Sequence, residues 1–238
     1  MAEIDYYKRK EISHSDLKRI AISMKSFMTK TEQTEPMKFG SLFHSYVLER
    51  DKFAKENLIK EYNLTTKVGK ELIANTTKNV IKTKEFRTMY LMNESIKSLP
   101  SNPIIFSGNY EVEKELLFEY KDVKCRSKLD YVNHDNKYFL DVKTIADITK
   151  CENTAKYDYL TQMYFYKVAL FENYGIDYIP YLVFVEKQSP YNSVVIEVSD
   201  LSLFTFAENW ILEQIEKYKK WINGNELFNH YKQGYIEL

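Results

Sequence analysis

The sequence has few of the residues that small or irregular folds depend on. Only two of its 238 residues are cysteines, too few for a disulfide framework, an iron–sulfur cluster or a zinc site built from thiolates alone. With 6 glycines and 5 prolines, the chain also lacks the composition of collagen-like or disordered proteins. We therefore expect a globular protein in which Cys125 and Cys151 are reduced and Cys125 lies within a strand.

Long hydrophobic runs and an excess of one charge are missing as well. The segment Met1–Arg9 is too polar for a membrane span or a secretion signal, and no long apolar segment follows it. Lys plus Arg and Asp plus Glu both total 34, so the overall charge does not point to a polyanionic partner. We expect no membrane contact and a cytoplasmic location, and any nucleic acid would have to bind a local basic surface.

The length and composition fit one folded domain. Hydrophobic residues make up 44% and charged residues 29% of the chain, which is ordinary for a soluble globular protein, and no stretch resembles a linker. We expect a single domain over residues 1–238, with helices in 1–100, a sheet and a helix in 108–198, and further helices in 200–238.

Hydrophobic periodicity divides the chain into helices and strands. Ser13 or Ser15 can cap a first helix, and a loop over Thr29–Glu35 follows it. The other predicted helices are Phe39–Leu48, about Val68–Asn79, about Lys84–Leu99, about Asn153–Tyr174, Leu201–Ile222 and a short helical tail. The predicted strands are Glu111–Tyr120, Val123–Tyr131, Tyr138–Thr144, Tyr181–Glu186 and Ser193–Val198. This order predicts a mixed sheet flanked by helices, an α/β or α+β core.

Strand alternation sorts the side chains of the second and third of these strands. In the second strand, one face is expected to carry Lys124, Arg126, Lys128 and Asp130, and the other Val123, Cys125, Leu129 and Tyr131. In the third strand, Asp141 and Lys143 share a face, roughly 7 Å apart. A turn at residues 134–136 makes the two strands antiparallel, which brings Asp130 close to Asp141.

Two interpretations of these carboxylates are open. Two carboxylates that face one cleft repel each other unless a cation is bound, and oxygen ligands select Mg²⁺ or Mn²⁺ over softer metals. Asp130, Asp141 and Lys143 could therefore form the active site of a two-metal phosphodiesterase. Alternatively, Asp130 and Lys143 could form a solvated cross-strand ion pair that contributes little.

Several other polar residues also allow two interpretations. Gln162 and Tyr166 are neighbours on the predicted long helix, where they could orient an acidic ligand or simply face solvent. His44 lies in an apolar run and could be a metal ligand or a core residue. Three glutamates alternate onto one face of the first predicted strand, and any of them could complete a metal site or be solvated: Glu111, Glu113 and Glu115.

Taken in order, these segments resemble the nuclease domain of RecE-type exonucleases, relatives of exonuclease VIII. These belong to the PD-(D/E)xK superfamily, which also includes lambda-type exonuclease. The matching segments are Gly40-Ser-Leu-Phe-His44 with Val47-Leu-Glu49, then Glu113, Arg126-Ser-Lys-Leu-Asp130, Asp141-Val-Lys-Thr144 and Tyr159-Leu-Thr-Gln-Met-Tyr-Phe-Tyr166. The match runs from about Ile12 to Val198. It departs from the superfamily pattern at Leu129, where proline is expected.

The resemblance implies a Mg²⁺-dependent exonuclease, with Mn²⁺ as a substitute and two ions per site. It would degrade one strand of linear duplex DNA from a 5′ end and leave a 3′ overhang for phage-type recombination. The metal ligands it implies are His44, Glu113, Asp130, Asp141 and the carbonyl of Val142. Lys143 would position and help deprotonate the attacking water, supported by Gln162 and Tyr166. Arg126 and Lys128 would steer the DNA backbone.

The resemblance also bears on partners and alternatives. Family members form closed rings that thread DNA and are commonly encoded by phages beside a RecT-type annealing protein, so the resemblance implies a homo-oligomeric ring and such a partner here. Two other functions stay open. One is a different nuclease of the superfamily, such as an endonuclease, although a Cas4-like enzyme would need four cysteines. The other is a DNA-binding assembly protein without catalysis.

Overall fold

The protein is described by a computed structural model that covers residues 6, 9–29, 32–60, 66–74 and 76–224. Its helices are α1 (His14–Ile22), α2 (Met24–Met28), α3 (Glu35–Leu48), α4 (Arg50–Glu56), α5 (Lys67–Ala74), α6 (Thr83–Lys97), α7 (Cys151–Thr154), α8 (Leu160–Tyr174) and α9 (Leu201–Ile222). A 3₁₀ turn precedes α7 at Ile148–Lys150, and a π-helical turn at Ala155–Tyr159 joins α7 to α8. None of the helices in the described part of the chain is long and apolar enough to cross a membrane.

Five strands form the central sheet, and two short strands form a separate ribbon. The sheet runs in the order β3 (Tyr110–Tyr120), β4 (Val123–Asn133), β5 (Tyr138–Ile145), β6 (Ile179–Glu186) and β7 (Ser193–Glu197). Only the β5–β6 pair is parallel, because helix α8 connects these two strands and returns the chain to the same end of the sheet. The ribbon consists of β1 (Asn57–Lys60) and β2 (Asn79–Lys82), which are parallel. The predicted mixed sheet flanked by helices is confirmed.

Helices cover both faces of the sheet, so the protein has two hydrophobic layers. On one face, α1, α8 and α9 pack against residues such as Phe139, Leu182 and Phe184. On the other face, α3, α4 and α6 pack against Leu140, Val142 and their neighbours. Each strand buries alternate side chains in opposite layers, as a sheet covered on both faces requires.

The alternation changes phase within β3 and β4. Leu129 packs in the layer of α8, but Tyr131, two residues later, packs in the layer of α3. The expectation that these two residues share a face is wrong. The change occurs opposite Glu113, whose φ of +49° lies in the left-handed region that non-glycine residues seldom adopt. In β3 and in β4, therefore, the side chains exchange the layers that they face at the same point, where Glu113 lies opposite Asp130.

At the same level, β4 and β5 separate. They pair only from Tyr131 to Asn133 with Tyr138 to Leu140, whereas β4 continues along β3 and β5 continues along β6. We call this separation the fork. Near the start of β4, the N-terminal segment occupies the edge of β4 that β5 has left. There the Ile12 N–H donates to Lys124 O and the Arg126 N–H donates to Ile12 O, both at 2.9 Å.

Most predicted elements are confirmed, with shifted ends. Ser13 caps α1 in a capping box with Asp16, and Gly175 ends α8 in a left-handed conformation. Helix α3 begins at Glu35 instead of Phe39 because Pro36 lies in its first turn, where a missing N–H costs nothing. The long helix predicted over Asn153–Tyr174 is interrupted by the π-helical turn.

One prediction was wrong in part, and one lies outside the described residues. The helix predicted to reach Asn79 ends at Ala74, because Asn79–Lys82 instead pairs with β1 and buries Ile81. Strand β1 and helices α2 and α4 were not predicted. The predicted helical tail falls beyond residue 224. Both cysteines are free: Cys125 is buried in β4, and burial raises the pKa of its thiol to about 12.

Candidate metal-dependent active site

The fork leaves backbone groups of β5 without a partner strand, and side chains take the place of that strand. The Val142 N–H donates to Asp130 Oδ2 at 2.8 Å, which fixes the carboxylate of β4 against the backbone of β5. On the other side, His44 of α3 approaches the carbonyl oxygen of Val142 to 2.5 Å through Nε2. Because a carbonyl only accepts, Nε2 carries the hydrogen of this contact, and Nδ1 is left to face the other side of the ring.

The Nδ1 atom of His44 lies 3.5 Å from Asp130 Oδ2. His44, Glu113 and Asp130 each offer one ligand atom, and the three atoms lie within 4.8 Å of one another. We call these residues the acidic cluster. A histidine that donates one ring N–H to a carbonyl and turns its other nitrogen toward carboxylates is arranged as metal-binding histidines usually are.

Glu113 reaches the cluster because of its unusual backbone. In the register of β3 with β4 it falls opposite Asp130, between the pairs Val112–Tyr131 and Lys114–Leu129. Its left-handed conformation costs on the order of 1–2 kcal/mol and turns its side chain out of the regular alternation. Strain of this kind is characteristic of functional sites.

The other two glutamates that the sequence left open lie elsewhere. Glu111 pairs with Lys114 at 2.6 Å and with His134 at 2.9 Å, and Glu115 is opposite Lys128 in the register. Among the described residues, only Glu113 of the three is part of the acidic cluster.

On the β5 side of the fork, a second set of residues forms a connected chain of contacts. Gln162 of α8 donates to Asp141 Oδ1 at 3.1 Å and to the Tyr166 hydroxyl at 2.8 Å. Lys143 Nζ lies 2.6 Å from Asp141 Oδ2. We call Asp141, Lys143, Gln162 and Tyr166 the Asp141 group. The sequence predicted that Gln162 could orient an acidic ligand, and the structure brings its amide to Asp141.

The charges of the two halves of the site shift each other's pKa values. Burial and the charge of Asp130 raise the pKa of Asp141 to about 6, although Lys143 opposes the shift. Burial would raise the pKa of Asp130 too, but His44 and Lys143 hold it below its usual value. Burial would lower the pKa of His44, but the neighbouring Asp130 raises it to about 9. The site therefore favours additional positive charge.

The residues present fit a divalent cation. Asp141 is 1% exposed, and its Oδ2 accepts no hydrogen bond of good geometry although Lys143 lies beside it. Together with the Nδ1 of His44, this crowding of carboxylate oxygens is the donor set that Mg²⁺ or Mn²⁺ binds. The acidic cluster would hold one ion. Within the described part of the chain, no second cluster of three such ligands accompanies it.

Sequence reasoning gave no role to Tyr159, Lys18 or His14, which border the Asp141 group. Lys143 Nζ lies 4.7 Å from the centre of the Tyr159 ring, and Lys18 Nζ lies 5.6 Å from that centre. His14 Nε2 is 2.8 Å from Thr161 Oγ1, and burial with the charges of Lys18 and Lys143 lowers its pKa to about 3. For Tyr159 two signals were available: it begins the segment that resembles RecE-type exonucleases, and it lies three residues before Gln162.

The two cations predicted to contact DNA are both engaged with carboxylates. Arg126 is 8% exposed, and its guanidinium lies 3.4 Å from Asp16 Oδ2 and stacks over the Tyr6 ring. Lys128 Nζ lies 2.8 Å from Glu113 Oε2, so it neutralises and orients a residue of the acidic cluster. Their contact with DNA stays a prediction.

Residues 9–230 of the chain match a family described as a PDDEXK-like domain of unknown function, DUF3799. No curated protein matches significantly. The fold is similar to that of a protein from Eubacterium rectale described as a "Putative exonuclease", with a TM-score of 0.71, 17% identity, and coverage of 100% of this chain and 96% of the other.

A second solved structure is less similar. It is described as a phage related exonuclease from Haemophilus somnus 129PT and aligns over 91% of this chain and 96% of its own, at 14% identity and a TM-score of 0.41. A score this low does not establish a common fold. The family match, by contrast, covers most of this chain, including every residue of the acidic cluster and the Asp141 group. The chain belongs to the PDDEXK-like family DUF3799.

Proposed function

We propose that this protein is a metal-dependent nuclease that hydrolyses phosphodiester bonds of DNA. The observation that carries the proposal is the fork, where the acidic cluster and the Asp141–Lys143 pair face each other across the separated strands. A binding protein without catalysis has no use for clustered carboxylates that face DNA phosphates, because they repel the ligand. The PDDEXK-like family supports the same reaction class.

Each residue of the site has a role that its contacts suggest. His44, Glu113 and Asp130 would hold the cation, with Asp141 next to them. A bound Mg²⁺ supplies Lewis acidity, which lowers the pKa of a coordinated water and offsets charge on the phosphate. Val142 N–H fixes Asp130, and Gln162 fixes Asp141, so the carboxylates need no reorganisation during the reaction.

Lys143 would act on the attacking water and on the scissile phosphate. Burial would lower its pKa, but Asp141 and Asp130 raise it, so the side chain is an ammonium that donates hydrogen bonds. Such a group can hold the water in line for attack and stabilise negative charge on a phosphate oxygen. The Tyr159 ring restricts the positions that the ammonium can take.

Within this class we propose a 5′-to-3′ exonuclease that leaves a 3′ overhang on linear duplex DNA. The ordered motifs that resemble RecE-type exonucleases support the direction, and the similar fold described as an exonuclease supports action at ends. A homo-oligomeric ring, a RecT-type partner and a role in recombination stay predictions.

The test uses purified protein, Mg²⁺ and three forms of the same DNA: linear duplex, nicked circle and closed circle. We expect loss of 5′ end label from the linear form first and survival of the closed circle. Cutting of the closed circle would instead indicate an endonuclease. Binding without cleavage, with Mg²⁺ or with Mn²⁺, would indicate an assembly protein. Asp130→Asn is the matched control for contaminating nuclease.

A further inference from the structure

A second feature lies beside the proposed active site, on the face of the sheet that α3 and α6 cover. It is a concave pocket of about 360 Å³, and its walls come from α3, the end of β2, the start of α6 and the end of β6. The residues that line it are Phe39, Lys82, Lys84, Glu85, Thr88 and Lys187. We call it the lysine pocket.

The charge of the lysine pocket is largely uncompensated. Lys82 and Lys84 are exposed and Lys187 is half-buried, and no carboxylate of the described residues lies within 4 Å of any of the three ammonium groups. Glu85 is the one acidic residue in the lining, so three positive charges face one negative charge. Arg126 and Lys128, in contrast, each have a carboxylate partner.

The start of α6 adds to this positive potential. Lys82 is the N-cap residue of α6 and offers no side-chain acceptor, so the first N–H groups of the helix stay uncapped by a side chain. The helix dipole is positive at this end. The whole chain has equal numbers of positive and negative residues, 34 of each, so its total charge does not attract anions. The local excess of positive charge at this pocket does.

The pocket lies close to the proposed cleavage site. Lys143 is opposite Phe184 in the register of β5 with β6, and Lys187 is three residues further along, where its N–H donates to Ile145 O at 3.0 Å. Along the backbone, three residues of strand span roughly 10 Å and the neighbouring strand adds a sideways step of about 4.8 Å. The Lys143 side chain lies on the α8 face of the sheet and the pocket on the α3 face, so the charged groups are further apart than these backbone positions. Phe39 belongs to α3, the helix that carries His44.

We propose that the lysine pocket binds a backbone phosphate of the DNA strand whose scissile phosphate lies at the fork. This proposal rests on the proposed nuclease function. Because neighbouring nucleotides of one strand are ~3.4 Å apart along the duplex axis, a pocket at this range would meet a phosphate within a few nucleotides of the scissile one. Lysine ammonium groups bind phosphate oxygens as point charges and read no base, so the pocket would grip DNA of any sequence.

The experiment compares wild type with Lys82→Gln/Lys84→Gln/Lys187→Gln. Affinity for a labelled linear duplex is measured by fluorescence anisotropy without divalent cations, at salt concentrations from 50 to 200 mM. Each lost phosphate contact lowers the slope of log K against log salt by about 0.9, so we expect the triple variant to lose between one and three such units. Cleavage with Mg²⁺ should show a higher KM and an unchanged kcat at saturating DNA.

The control variant removes the same charge elsewhere. Lys121→Gln/Lys124→Gln/Lys220→Gln changes three exposed lysines at the far end of β4 and on α9. Lys124 is six residues from Asp130, roughly 20 Å along the strand. We expect this variant to keep the wild-type slope. Equal slopes for the two triple variants would overturn the proposal that the lysine pocket binds phosphate. Thermal melting of both variants checks that neither has a folding defect.

A second measurement locates the phosphate. Single uncharged methylphosphonate linkages are placed at successive positions on either side of the scissile bond, and the KM of each duplex is measured. We expect one position, within a few nucleotides of the scissile phosphate, to raise the KM of wild type but not that of the pocket variant. No such position would overturn the proposal. Loss of slope in a protein that cleaves no DNA would instead refute the nuclease function and leave an anion site.

Discussion

The two halves of the site are stabilised in opposite ways. In the Asp141 group, each charged side chain has a partner: Lys143 faces Asp141, and Gln162 and Tyr166 continue the contacts into α8. In the acidic cluster, two carboxylates and a histidine crowd together on three separate elements, and Glu113 has a left-handed backbone. In the first half the charges are paired within the protein, whereas the second is arranged for a cation. The predictions below test whether the Asp141 group and the acidic cluster differ in this way.

The largest effect is expected from removing one residue of each half. Asp130→Asn and Lys143→Gln should each reduce the cleavage rate by about 10²–10³-fold or more, because the first weakens the hold on the cation and the second removes the ammonium that acts on the phosphate. Only Asp130→Asn should also abolish the stabilisation by Mg²⁺, which would be about 2.7 kcal/mol at a hundred times its Kd. Thermal melting with and without Mg²⁺ measures this difference, and an equal loss in both variants would contradict the division into halves.

The next effect is a pH dependence of stability that comes from His14 of α1, which contacts Thr161 on α8. The pKa of His14 is about 3 in the folded protein and about 6.5 when unfolded, so between these values the unfolded chain binds one more proton. The free energy of unfolding therefore falls as the pH drops through this window, by on the order of 4 kcal/mol at pH 3. Denaturant unfolding at pH 7 and pH 4 should show a shallower dependence for His14→Gln. An identical dependence would refute a buried neutral His14.

A smaller effect should distinguish the three glutamates of β3. Glu113→Gln should raise the Mg²⁺ concentration for half-maximal activity by roughly 10- to 100-fold, the size seen when even an outer partner of a metal ligand is lost. The matched variants Glu111→Gln and Glu115→Gln should leave it unchanged, because these residues lie outside the acidic cluster. A shift in Glu111→Gln or Glu115→Gln instead would mean that the strand register places a different ligand.

The smallest effect is expected at Tyr159. Tyr159→Leu removes the ring beside Lys143 and should slow cleavage several-fold, since a cation–π contact contributes about 0.5–2 kcal/mol. Tyr159→Phe keeps the ring and should retain nearly the wild-type kcat. If both variants are equally slow, the hydroxyl matters and the ring contact does not explain the effect.

The same comparison shows what could be predicted from the sequence. Asp141 with Lys143, and Gln162 with Tyr166, lie within single elements, so local spacing placed each pair on one face. Glu113 and Tyr131 could not be placed this way, because β3 and β4 change phase at the fork and strand alternation assumes a regular strand. His44 met Asp130 only through tertiary packing of α3 against the sheet.

The unpredicted elements have related causes. Strand β2 was not predicted, apart from Asn79 being assigned to the preceding helix, because its four residues are too few to show a period and their pairing with β1 depends on a contact across more than twenty residues. The lysine pocket brings together residues from β2, α6 and β6, which no local pattern connects.

The central claim is that the acidic cluster at the fork holds a divalent cation, with the Asp141 group next to it. Diffraction from a crystal soaked in Mn²⁺, recorded near the manganese absorption edge, tests it most directly. We predict an anomalous peak bonded to His44 Nδ1 and to carboxylate oxygens of Glu113 and Asp130, with Asp141 adjacent. A fully occupied peak bonded to other residues, or no peak at the fork in a crystal that binds manganese elsewhere, would contradict the account.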